Sequence, residues 1–372
     1  MPVYADSIIF AFMGFRKFAA IAAVVGLLSG CSTEVDLNAD WQETTVVYGL
    51  LDQTETYHFL RINKSFLGDG NALDMALVRD SSEYDPSKVD ARIDEYVNNI
   101  LTRTWQLRDT TLLNRDENGD FYYPEYTAYY FVEPALNANA RYVLTAEIGP
   151  DGNKKTVTAE TELIRDFTIS SPLANIPGAP SQFNVQFISG GEYRDFTVKF
   201  TSSVGSKRFN LQLALHYLEF APSDTVERIL YWNLGDEKAV ADAGGELFEM
   251  VISGQNFYTW LASRITSSSI LNDPAITKRQ YLGIDFIVSS AADELNTYME
   301  LNEPVTGIVQ ERPSYTNVVN GIGLFSARYS KTVPLKWLNF PSLVELNSGQ
   351  YTAGLLFCVD TTAYVGESFY CP

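Results

Sequence analysis

The chain has 372 residues, with 27 basic and 46 acidic side chains and a formal net charge of −19. That balance argues against nucleic-acid binding, which needs clustered Lys and Arg, and against docking on an anionic membrane through basic residues. Hydrophobic residues make up 46% and aromatics 13%, with Tyr and Phe in short alternating runs, a composition that favours β-structure.

The N-terminal stretch carries the parts of an export signal in order. Arg16 and Lys17 precede an apolar segment from Phe18 to Leu28, too short to span a bilayer comfortably, and Leu28-Ser29-Gly30-Cys31 follows. Those four residues resemble the lipobox of bacterial lipoproteins. Small residues beside the cut let the backbone enter the signal peptidase, and the cysteine sulfur carries the diacylglycerol. The resemblance implies a signal peptide over 1–30, lipidation at Cys31 and a tether over 31–42. A compact signal can begin at Met13, so we expect that residue to be the true start. Removing 1–30 takes Arg16, Lys17 and Asp6 with it and leaves the rest one charge more acidic. Acyl chains supply ~0.8 kcal/mol of membrane affinity per buried CH₂. Downstream there is no apolar run long enough to span a bilayer. Ser32-Thr33-Glu34-Val35-Asp36 resembles the acidic signal that sends such lipoproteins to the cell surface. The expected location is the outer membrane, facing outward, with the periplasmic leaflet as the alternative.

Beyond residue 42 the pattern has period two. Val46, Tyr48 and Leu50 alternate with Thr45, Val47 and Gly49; Tyr142, Leu144, Ala146 and Ile148 alternate with Val143, Thr145 and Glu147, and Asp151-Gly152 turns into a return strand at 156–161. Ser171-Pro172 and Pro177-Gly178-Ala179-Pro180 interrupt the pattern. Strands resume at Phe196–Thr201, at Phe209 to Tyr217, at Leu282 to Val288 and at Tyr351 to Val359. Ser253 to Ile265 and Ala291 to Leu301 place apolar residues three and four apart, which predicts two short helices. The expected fold is mainly β: two β-sandwich-like domains, at 43–168 and 169–372, the second larger and capped by short helices. A transmembrane β-barrel is the rival, but the strand spacings are irregular and the chain ends on Cys371-Pro372 rather than an aromatic strand.

Few motifs carry chemistry. The two histidines, His58 and His216, both sit in strand-like runs, and no Gly-x-Ser-x-Gly or His-Glu-x-x-His occurs. We therefore expect no catalytic residue, no metal and no cofactor, although the many carboxylates leave a carboxylate-based hydrolase open. Cys358 and Cys371, thirteen positions apart, form a candidate disulfide in an oxidising compartment, the alternative being two free thiols. Counting from Asn114, oxygen side chains at positions 1, 3 and 5, Gly119 at 6 and Glu125 at 12 match the spacing of a calcium loop. The flanks alternate as strands, so a hairpin turning at Asn118-Gly119 is the preferred reading. Gly321-x-Gly323 lacks the third glycine of a dinucleotide loop and is expected to turn into a strand over 324–329. Tyr231, Trp232, Trp337 and Phe340 could stack on sugars or peptides from loops, or pack in the core.

Glu34-Val35-Asp36-Leu37, Val46-Val47-Tyr48-Gly49-Leu50-Leu51, the segment Ser290 to Tyr298 and Thr316-Asn317-Val318-Val319-Asn320-Gly321-Ile322-Gly323-Leu324-Phe325 follow one another in an order that resembles a Bacteroidota outer-membrane lipoprotein family of unknown function, the DUF4249 type. The resemblance implies an immunoglobulin-like N-terminal domain and association with a TonB-dependent transporter in nutrient uptake, and supplies no catalytic residues. The expected function is thus a non-enzymatic binding or accessory subunit. An adhesive or structural envelope protein is the second reading, a hydrolase the third.

Overall fold

The computed structural model describes residues 43–65, 71–113, 116–175, 182–188, 190–241, 243–303 and 314–371. All belong to the compact unit Glu43–Pro372. The fold is mainly β. In the first half run β1 (Thr45–Asp52), β2 (Tyr57–Lys64), β3 (Val89–Val97), β4 (Ile100–Gln106), β5 (Arg108–Leu112), β6 (Tyr126–Val132), β7 (Arg141–Ile148) and β8 (Lys155–Glu162). In the second run β9 (Thr168–Ser171), β10 (Gln182–Phe183), β11 (Phe187–Ile188), β12 (Glu192–Tyr193), β13 (Phe196–Thr201), β14 (Arg208–Ala221), β15 (Asp224–Lys238), β16 (Leu247–Ile252), β17 (Lys278–Ala291), β18 (Val318–Val319), β19 (Gly321–Leu338) and β20 (Phe357–Cys358). Among the described residues, five α-helices interrupt them: α1 (Ala72–Ala76), α2 (Arg79–Ser82), α3 (Gly254–Thr266), α4 (Asp293–Asn302) and α5 (Phe340–Ser348). No helix among the described residues is long and apolar enough to cross a membrane.

A ten-stranded sheet in the order β15-β14-β17-β19-β1-β2-β6-β5, with β10 and β20 attached beside it, spans the unit. A five-stranded sheet, β18-β8-β7-β3-β4, and a three-stranded sheet, β16-β13-β9, complete the two main layers. Two hydrophobic cores result. The first gathers Val47, Leu60, Ile93, Phe131, Tyr142 and Val157. The second gathers Phe183, Phe200, Phe209, Leu213, Phe257 and Phe286. The chain passes from one core to the other between Ile164 and Phe167, yet the strands do not divide there. Val318, Phe325 and Ala327 return from late in the sequence to fill the first core. The two expected domains, 43–168 and 169–372, therefore share one sheet and one 18-residue strand, β19. Its first half pairs parallel with β1, and its second half pairs antiparallel with β17.

Alternation explains most of this. On β14 the expected face of Phe209, Leu211, Leu213, Leu215 and Tyr217 is wholly buried, each side chain worth ~1.5–3 kcal/mol of burial. On β17 the pattern slips. A register shift opposite His216 and Tyr217 puts Gly283 at a positive φ of 143°, so Tyr281 rather than Leu282 joins Ile284, Phe286 and Val288 inside. The motif before β19 has a structural purpose. Asn317 accepts from Phe325 N–H at 3.0 Å and donates to Phe325 O at 2.6 Å, clamping β18 to β19. The turn between these strands is Asn320, at φ 59°, and the strand already begins at Gly321. At Gly323, φ is 118°, and a Cβ would lie 1.9 Å from Val47 O, so only glycine fits.

Both expected helices form. Ser253 caps α3 by accepting from Asn256 N–H, and Phe257, Tyr258, Leu261 and Ile265 are its buried stripe. The second, α4, starts at Asp293. The strand expected from Tyr351 to Val359 does not form over its length. Ala353–Leu355 is a 3₁₀ turn, Leu356 is left-handed, and the ladder to β17 is limited to Phe357–Cys358. Arg279 is the reason: its guanidinium donates to Leu355 O at 2.8 Å and its backbone N–H to Leu356 O at 2.9 Å. Those carbonyls are satisfied without a ladder. The chain there closes with a disulfide between Cys358 and Cys371, Cα atoms 4.9 Å apart, beside a Val359–Tyr370 bridge.

Candidate functional site: an aromatic trough on the outer sheet face

Strands β1, β2 and β6 are interior strands, so every second residue faces away from the first core. Inward go Val47, Leu60, Ile62, Tyr129 and Phe131. Outward go Tyr48 from β1, Tyr57, Phe59 and Arg61 from β2, and Tyr126 and Tyr130 from β6. Helix α4 covers only part of that face, its Tyr298 meeting Tyr48 edge-on at 6.3 Å. The remainder forms an open trough of about 740 Å³, lined among others by Tyr48, Asp52, Tyr57, Phe59, Arg61 and Arg328. A side chamber of about 310 Å³ shares Tyr48 and Arg61 and adds Val46, Asn63 and Phe121.

The rings form a platform. Tyr57 and Phe59 lie nearly parallel, 18° apart with centroids at 6.5 Å. Tyr130 completes it at 5.8 Å from Phe59 and 6.3 Å from Tyr57. Tyr57 is 55% exposed and Phe59 43%, high values for adjoining aromatics. The charges sit at the ends. Near the β1–β2 turn, Arg328 is neutralised by Asp52 at 3.1 Å and Glu55 at 3.6 Å. Further along β2, the Arg61 guanidinium stacks on Tyr126, 4.8 Å from the ring centroid. Its Nε is buried without a hydrogen-bond partner, and no ion pair with a described residue compensates it. Burial pushes the Tyr48 phenol up to about 12, and its hydrogen bond with Tyr298 adds to the shift, so that ring stays neutral.

A second concavity, about 400 Å³, is lined by Val143, Glu160, Glu294, Tyr315 and Asn317, among others. Burial raises the Glu294 carboxyl above its ordinary range, while hydrogen bonds from Ser326 Oγ at 3.1 Å and Thr161 Oγ1 at 3.4 Å partly oppose the shift. Glu160, on the rim, pairs with Arg141 at 2.5 Å. A third basin, between β2, α2 and β8, mixes Lys64, Arg79, Lys88 and Lys155 with Glu43, Asp80, Glu83 and Asp85. Its Arg79 is held by Glu83 at 3.0 Å and Glu125 at 2.6 Å.

The residues singled out in the sequence are dispersed. Cys31 and Met13 lie outside the described residues. Cys358 and Cys371 are joined far along the second core. His58 Nε2 is 2.9 Å from Glu133 O, with its ring against Phe131, and His216 Nε2 is 3.0 Å from Asp285 Oδ2. Neither ring is paired with a Ser, Thr or Cys side chain in these contacts. In the 114–125 loop, Asn114 and Arg115 lie outside the described residues. Asp116 accepts from Asn118 and Gly119 N–H groups in a turn, and Glu125 is committed to Arg79. The expected hairpin does form, between β5 and β6, closing at Leu112 and Tyr126, but its connection is longer than an Asn118-Gly119 turn. Among the described residues no three His, Cys, Asp or Glu side chains gather as metal ligands. Trp232 stacks on Trp260 at 5.1 Å against the second core, and Trp337 meets Tyr281 edge-on at 5.5 Å. Tyr231 and Phe340 are more exposed, yet neither lines the trough. The trough aromatics were missed. The signal was Tyr57-x-Phe59-x-Arg61, aromatics in phase with a cation on a strand whose other face is already apolar.

No family model and no curated protein matches the chain. Among solved structures it is similar to the C-terminal globular domain of an oligosaccharyltransferase from Pyrococcus abyssi, at 9% identity and a TM-score of 0.24. The match covers 67% of this chain and 47% of that one, so the chain spans less than half of that domain's length. A superposition this loose carries no argument about fold or function.

Proposed function

We propose that this chain is a lipid-anchored outer-membrane protein, facing the cell exterior, that binds its target without transforming it and serves as accessory subunit to a TonB-dependent nutrient transporter. The anchor half of the reading rests on Leu28-Ser29-Gly30-Cys31 and the transporter half on the family resemblance. The observation that carries the binding half is the aromatic trough: adjoining exposed rings on a protein surface mark a place where something docks, and here they surround a stacked guanidinium. Crosslinking in native outer membranes, then detergent extraction and mass spectrometry, tests the reading. A stoichiometric large barrel beside the full-length chain is the expected result; recovery of the chain alone overturns the transporter role. Cys31→Ser should release the protein from the membrane fraction, and its persistence there would overturn the anchor.

A carboxylate-based hydrolase is the second reading, favoured by one observation, the raised carboxyl of Glu294 in a concavity shared with Glu160. General acids are tuned in this direction. Under this reading Glu294→Gln abolishes any glycosidase activity the purified protein displays, and unchanged turnover removes it.

A further inference from the structure

Resting on the binding half of that reading, we infer that the trough takes a carboxylate-bearing saccharide, with its sugar rings on Tyr57 and Phe59 and its acid on Arg61. Three observations lead there. First, the trough is a sheet face and not a sheet edge. β1, β2 and β6 are interior strands, with Tyr57–Leu60 laddered to β6 and Leu60–Lys64 to β1, so the trough does not offer an edge strand for an extended peptide to lengthen. Side chains dominate its surface. Second, those side chains present two nearly parallel, exposed rings with centroids 6.5 Å apart, and an aromatic face of this kind suits the C–H face of a pyranose.

Third, the charge is one-sided. The cation at the turn end, Arg328, is saturated by Asp52 and Glu55. Among the described residues Arg61 forms no ion pair, and its buried Nε has no hydrogen-bond partner. The guanidinium sits over the Tyr126 ring at 4.8 Å, and its planar fork of N–H donors suits a two-pronged grip on a carboxylate. Arg61 follows Phe59 by two residues on the same face, about 6.6 Å along the strand. A uronate unit next to a sugar stacked on Phe59 reaches that distance. The acidic carboxylates at the opposite end repel a reversed ligand, so the site has a polarity.

The test is calorimetric titration of the detergent-solubilised full-length chain with trigalacturonate, with its fully methyl-esterified form and with a hexaglutamate peptide. Trigalacturonate should bind, and the ester should bind about ten-fold more weakly or worse, as expected for loss of a charge-assisted pair. Arg61→Gln should bring the acid down to the level of the ester, Arg61→Lys should recover part of the loss, and Phe59→Ala should weaken both sugars. Circular dichroism confirms that the variants fold. Equal binding of acid and ester, an indifferent Arg61→Gln, or hexaglutamate binding in place of the sugar overturns the inference. So does failure of every probe. Equal binding that Phe59→Ala still weakens would leave the binding reading intact, and the transporter role is judged separately by crosslinking.

Discussion

The two cores use aromatic residues in opposite ways. In the second, Phe183 sits at the centre of three edge-on contacts, to Phe196 at 5.1 Å, Phe286 at 5.2 Å and Phe257 at 5.5 Å, and α3 and α5 contribute Phe257, Leu261, Leu343 and Leu346 to the same cluster. In the first, the core is filled by Tyr142, Phe131 and Trp105, but the outer face of β1, β2 and β6 leaves Tyr57 and Phe59 exposed. One period-two code thus yields a core where a second layer arrives and an exposed aromatic surface where none does. Cover, rather than composition, separates the buried aromatics from the exposed ones.

Mutations sharpen the contrast. Phe286→Ala empties the second core and should cost about 3–5 kcal/mol, read as a drop in the denaturation midpoint. Arg279→Ala should cost about as much. It leaves Glu219 buried, with only Arg228 at 2.9 Å after the 3.1 Å partner is gone, and breaking buried pairs is worth about 3–5 kcal/mol. Pairing Arg279→Met with Glu219→Leu should recover part of that loss. Cys358→Ser opens the C-terminal loop and should cost about 2–3 kcal/mol, an effect that reducing agent should reproduce in the parent protein. Smaller and pH-dependent is Glu294→Gln. The folded carboxyl holds its proton more tightly than the unfolded one, so the parent is favoured below the ordinary value of 4.5 and loses stability as pH rises through the raised folded value. The glutamine variant should lack that decline, as melting temperatures across the acid range would show. Phe59→Ala, at the exposed platform, should change stability by less than about 1 kcal/mol. A larger loss would mean that the platform is core after all and would erase the comparison.

The second core was largely legible from residue spacing. Phe209 to Tyr217 and the stripe through Phe257 and Leu261 announce their elements because burial falls on one face only. Helix α5 was overlooked although its start is written plainly: Asn339 caps it by accepting from Ser342 N–H, and proline stands in its first turn. Phe340 and Trp337 drew attention as loop aromatics and hid that signal. The late strand was misread for a different reason. Its alternation is real, but Arg279 arrives from a strand seventy-odd residues earlier to claim its carbonyls, a contact no local pattern encodes. The trough lies between these cases. Its residues alternate visibly on β2, yet which face is covered depends on β19, α4 and the five-stranded sheet, all supplied by distant parts of the chain.

That dependence sets the order in which the protein can be finished. β1 acquires its parallel neighbour only when β19 arrives, and Asp52 and Arg328, which pair across that seam, are 276 positions apart. A chain emerging N-terminus first must hold its earliest strand half-paired until nearly all of the rest has appeared. Such remote closure is slow, and it leaves a bare edge exposed meanwhile. β1 is thus among the first strands to be made and among the last to be completed, so the trough beside it takes its final form only after the strands that follow have been assembled.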